Sequence, residues 1–86
     1  MIKIAYTPAL VRQYNKLDKG LQDEVKEKIT LFRDKKNHAT LKVHKLHGDL
    51  KKFSSFSVDY KTRIVFYWLD DSEALLEMVG DHDVYR

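Results

Sequence analysis

Thr62-Arg63-Ile64-Val65-Phe66-Tyr67-Trp68-Leu69 is β-branched or aromatic at nearly every position. Side chains of this kind suit a pleated surface covered on both faces, so the run reads as the central strand of a sheet. Upstream, across a turn at Tyr60-Lys61, Phe53 to Asp59 reads as a second strand. Downstream, Asp70-Asp71-Ser72 makes another turn, and Glu73 to Val79 supplies a third. Strands that follow one another through tight turns form an antiparallel meander. Its apolar face has to be covered by the rest of the chain.

The first half supplies that cover. Ile2, Ile4 and Tyr6 alternate with Lys3 and Ala5, the period of a short strand with one face buried. Thr7-Pro8 reads as a helix N-cap followed by a proline at the first helical position. Leu10, Tyr14 and Leu17 continue the helical spacing to about Asp18, where Lys19-Gly20 is expected to stop it. Leu21, Val25, Ile29 and Phe32 then fall on one stripe of a second helix, with acidic residues toward its start and Arg33, Lys35 and Lys36 at its end. The expected order is β-α-α-β-β-β. This is an α+β fold in which a helical hairpin packs on a small antiparallel sheet and the first strand adds an edge.

With 86 residues, three glycines and one proline, the expectation is a single domain over residues 1–86 with one modest core. There is no cysteine, hence no disulfide framework or thiolate zinc site, and no apolar run approaches the roughly 20 residues that span a bilayer. A cytoplasmic protein without membrane contact is expected. The phosphate-binding glycine loop, the dinucleotide fingerprint and the nucleophile elbow are all absent, which argues against nucleotide and acyl-transfer chemistry.

Charge is unevenly spread. The formal net charge is +3, but residues 1–52 hold thirteen Lys/Arg against six Asp/Glu, whereas residues 53–86 hold three against seven. A polyanion or an acidic protein would be drawn to the first part, although solvated helices also carry many lysines. The basic groups concentrate near Val43-His44-Lys45-Leu46-His47-Gly48-Asp49-Leu50-Lys51-Lys52, within a connection from His38 to Asp49 that is long for so small a domain. A second polar knot is Gly80-Asp81-His82-Asp83-Val84-Tyr85-Arg86.

The plan, the size, the loop Lys45-Leu46-His47-Gly48, the strand opening on Thr62-Arg63 and the run from Val79 to Tyr85 together resemble the RelE/ParE superfamily of toxins from toxin–antitoxin modules. The closing glycine-x-histidine pattern is more similar to the RelE and YafQ-like messenger-RNA interferases than to the gyrase-poisoning ParE branch. The resemblance implies ribosome-dependent cleavage of messenger RNA and a cognate antitoxin as partner. It also implies catalytic roles for His82, His44 and Arg63, with Tyr85 as the supporting aromatic. Two positions depart from it: the histidine and aspartate of YafQ-like enzymes appear as Ser57 and Lys61.

The chemistry can be stated without the resemblance. Metal-free RNA cleavage needs a base for the 2′-OH, cations for the phosphorane and an acid for the leaving 5′-oxygen. Histidine suits the first and last. Arg63 can hold two phosphoryl oxygens, or it can simply pair with Asp59 or Glu77 across the sheet. Lys45, His47, Lys51, Lys52 and Lys61 are expected to contact flanking RNA phosphates. Phe53 and Phe56 cannot share one face of a regular strand, so one belongs to the core and the other is a candidate base stacker, with Phe56 assigned to the RNA side. His44-x-x-His47 with His82 and Asp49 contains metal-ligand types, but without cysteines and with its pair in a loop it is a weak site. No metal and no cofactor are expected. The alternative function is a non-catalytic or gyrase-inhibiting toxin of the same fold.

Overall fold

The computed structural model describes residues 1–81. Its elements are β1 (Lys3–Tyr6), α1 (Pro8–Asn15), α2 (Lys19–Phe32), β2 (His44–Lys45), β3 (Ser54–Ser57), β4 (Arg63–Asp70) and β5 (Glu73–Gly80), with 3-10 turns at Lys35–Asn37 and Gly48–Leu50. They form one five-stranded sheet in the order β1-β5-β4-β3-β2. The meander β3-β4-β5 is antiparallel and β4 is its middle strand, as the run of β-branched and aromatic residues predicts. β1 joins β5 in parallel. The fold is therefore the α+β arrangement expected, with one addition: the basic connection contributes a two-residue edge strand, β2, paired antiparallel to β3.

The helix boundaries differ from expectation at one point. Lys19-Gly20 does not end α1 but begins α2, because Asp18 caps that helix by accepting the Leu21 N–H at 2.9 Å. α1 ends instead at Lys16, in ordinary right-handed backbone without a glycine. Its start is as read: Thr7 accepts the Leu10 N–H at 3.0 Å, and Pro8 opens the helix.

One face of the sheet carries the core. Ile64, Phe66, Phe56, Leu76 and Ala74 meet Leu10 of α1 and Val25 and Phe32 of α2, all buried. Phe32 is the hub, stacking on Phe56 at 4.5 Å and on His38 at 4.8 Å, and meeting Phe66 edge-on at 4.8 Å. Each such aromatic pair adds about 0.5–1.5 kcal/mol beyond its buried area. α1 is also tied to β5 by polar groups: Thr7 Oγ1 donates to Glu77 O at 2.8 Å and the Val79 N–H donates to Gln13 Oε1 at 2.9 Å. These ties sit where the β4–β5 register slips, so that Phe66 faces Leu76 but Val65 faces Met78. The slip passes Glu77 over and returns Val79 to the core.

Candidate functional site

Register determines what the opposite face presents. His44 pairs with Ser55, Ser55 with Val65 and Val65 with Met78, so one row crosses four strands. The adjacent row is Ser57, Arg63 and Gly80. Because side chains of directly paired residues share a face, His44 and Arg63 stand on the face away from the helices, with Cα atoms roughly 12 Å apart by strand spacing and rise.

His44 is exposed, and its Nδ1 lies 2.8 Å from the carbonyl oxygen of Lys42. A carbonyl can only accept, so Nδ1 carries the proton of this bond and the neutral ring keeps its lone pair on Nε2. Lys42 itself holds left-handed backbone, φ 59°, where glycine is the usual residue. Arg63 is half-buried. Its Nη1 donates to Asp59 O at 2.7 Å and to Thr62 O at 3.2 Å, so it is anchored by backbone carbonyls of the β3–β4 turn rather than by the carboxylates of Asp59 or Glu77. The Asp59 side chain builds that turn, accepting the N–H groups of Lys61 and Thr62 at 2.9 and 2.6 Å. Burial works against its ionisation, but these hydrogen bonds outweigh it and hold the carboxyl below the ordinary aspartate range.

The basic edge has no acidic partner among the ion pairs of the described residues. These pairs lie at Lys19–Asp23, Lys28–Glu27 and Lys36–Asp34, and none engages Lys45, Lys51, Lys52 or Arg63. Lys45 alternates with His44 and points to the other side of β2. His47 is exposed at the head of the turn in which Gly48 takes φ 69°. Lys51 and Lys52 follow on the surface, with Lys52 Nζ 5.4 Å from the centre of the Phe53 ring. Lys61 is exposed at the β3–β4 turn, two residues before Arg63.

The assignment of Phe56 to RNA is corrected: it is 0% exposed and part of the core stack. Phe53 is the half-buried ring on the face away from the helices, edge-on to Tyr67 at 6.2 Å. His82 and Tyr85 lie outside the described residues. Among the described residues no cluster of His, Cys, Asp and Glu could hold a metal ion. Ser55 was not foreseen. Its hydroxyl is buried beside His44 in the ladder and has no hydrogen-bond partner among the described residues.

YafQ from E. coli superposes with a TM-score of 0.78 at 18% identity, covering 99% of this chain and 98% of its own. This is the fold of the RelE/ParE toxins. A chain of the YoeB–YefM complex from Staphylococcus aureus matches at 0.73 and 17% identity over 95% and 98% of the two chains. A chain of the RelBE2 toxin–antitoxin complex from Mycobacterium tuberculosis matches at 0.71 and 15% over 94% and 98%. No family model matches the chain, and no curated protein sequence does. In this toxin fold, the two positions that depart from the YafQ-like pattern both neighbour Arg63: Ser57 is its partner in the ladder, and Lys61 is in the turn that anchors it.

Proposed function

We propose that this chain is the toxin of a type II toxin–antitoxin module, a cytoplasmic, metal-independent endoribonuclease that cleaves messenger RNA on the ribosome. The observation that carries this reading is the placement of His44 and Arg63 on the sheet face away from the helices, beside a basic edge that no ion pair among the described residues engages. His44 Nε2 takes the proton of a 2′-OH, whose oxygen attacks the adjacent phosphorus. Arg63 balances the added charge on the phosphoryl oxygens, and the 5′-oxygen leaves with a proton from an acid, the role assigned to His82. The products are a 2′,3′-cyclic phosphate and a free 5′-OH. Lys51, Lys52, His47 and Lys61 hold flanking phosphates, Phe53 offers a face for a base, and Tyr85 orients one.

A cognate antitoxin completes the reading, since YoeB–YefM and RelBE2 are themselves toxin–antitoxin complexes. An apolar cleft of about 230 Å³ between α1, α2 and the β1 edge, lined by Tyr6, Leu10, Val11, Tyr14 and Ile29 with Lys26, would take the apolar side of an acidic segment.

The deciding experiment is single-round cleavage of a programmed ribosome at equal occupancy. His44→Ala, Arg63→Ala and His82→Ala are each expected to lose about 10²- to 10⁴-fold in rate while remaining folded. Wild-type rates in all three variants would remove these residues from the mechanism, and an absence of cleavage by the wild type would overturn the enzymatic reading, leaving a non-catalytic or gyrase-directed toxin.

A further inference from the structure

The connection before β2 is more ordered than its composition implies. The Leu41 N–H donates to Asn37 O at 3.0 Å, the Lys42 N–H to Ala39 O at 3.1 Å and the Val43 N–H to His38 O at 3.0 Å. The last two bonds, one nested inside the other, are those of a Schellman cap that closes a helical turn over residues 38–41. In that motif the left-handed residue is usually glycine, because any other side chain crowds its own backbone. Here it is Lys42, at φ 59°. The turn is clamped from both sides. The Ser57 N–H donates to Leu41 O at 2.8 Å, and Val43 packs against the core cluster.

Lys42 thus aims its carbonyl at the Nδ1 of His44, two residues on, at 2.8 Å. His44 in turn is held by its pairing with Ser55. Both ends of this hydrogen bond are therefore set by backbone rather than by a free side chain. A free histidine side chain prefers its proton on Nε2, the arrangement that would leave no lone pair at the outer ring nitrogen. The carbonyl reverses that preference.

We propose that Lys42 is a positioning residue, its left-handed backbone holding His44 as the Nδ1–H tautomer so that Nε2 is the available base. The lysine side chain takes no part, and the conformation alone does the positioning. The inference rests on the reading of His44 as a base, and the two can be tested apart.

The test is a graded series at Lys42, read by nitrogen-15 NMR of the His44 ring at a pH where the imidazole is neutral, and in parallel by single-round cleavage. Lys42→Gly, free to adopt the same backbone, is expected to keep the Nδ1–H tautomer and the wild-type rate. Lys42→Val, which strongly resists a positive φ, is expected to move the ring toward Nε2–H and to reduce cleavage at least tenfold with circular dichroism unchanged. Lys42→Ala is expected to fall between them, and serves in place of valine should that variant unfold. A wild-type ring carrying its proton on Nε2, or a tautomer indifferent to the series, would overturn the positioning role whatever the activity. A tautomer that shifts as expected while cleavage stays constant would remove His44 from the reaction and leave the positioning of its ring intact.

Discussion

Ser55 holds a hydroxyl inside the protein with no hydrogen-bond partner among the described residues, in the ladder between His44 and Val65. An unsatisfied buried polar group costs about 1–3 kcal/mol, so Ser55→Ala is expected to stabilise the fold by on the order of 1 kcal/mol. Thermal unfolding would register this as a rise of about 4–8 °C; a fall would mean that the hydroxyl is satisfied in solution. Among single residues, His44 and Arg63 stood out in the sequence as candidates, an imidazole in a basic run and a cation opening an otherwise apolar strand, but spacing alone did not separate His44 from His47 and only the family resemblance did. Phe53 and Phe56 were legible as a pair with opposite faces but not as to which was which, since parity depends on the register with β4. Lys42 could not be found. A left-handed residue announces itself when it is glycine or asparagine, and a lysine leaves no trace of the role its backbone plays.

Longer periods made most elements readable. α2 repeats its apolar stripe across fourteen residues, and β4 and β5 are eight residues each, so local pattern and tertiary burial agree. β2 escaped because two residues carry no periodicity, and it exists only because β3 offers an edge. Lys19-Gly20 misled because Gly marks helix ends more often than first turns, whereas the competing signal, Asp18 as an N-cap, decided the matter. The β3–β4 turn is where an element depends on pH. Asp59 ionises more readily here than an ordinary aspartate, through the Thr62 and Lys61 N–H groups that overcome its desolvation. A carboxyl depressed in the folded state contributes stability above its unfolded-state value and loses it as pH falls through the lower folded value. The wild type is therefore expected to lose its thermal advantage over Asp59→Asn as pH falls from neutral through and below the ordinary aspartate value of about 3.9. A constant difference in melting temperature across that range would show that ionisation does not hold the turn.

At the scale of the molecule, the cations cluster on the β2 edge and the turn after it, while the later strands carry more acid than base. If single-stranded RNA lies along that edge, its affinity falls with salt. Replacing Lys51 and Lys52 by alanine is then expected to flatten the slope of log affinity against log salt by up to about 1.4. An unchanged slope with the fold intact would move the footprint to the basic end of α2.

The pairing of β1 with β5 reaches across the whole domain, since Lys3 meets Glu73 and Thr7 bonds to Glu77, seventy residues away. Such closure is entropically late, because a long loop must be brought together before its contacts can reward it. During synthesis, β1 and both helices emerge with no sheet to cover, and they wait until β4 and β5 have been made. A nascent chain is thus an open hairpin of helices, and the face that brings His44 and Arg63 together is assembled only when the meander forms.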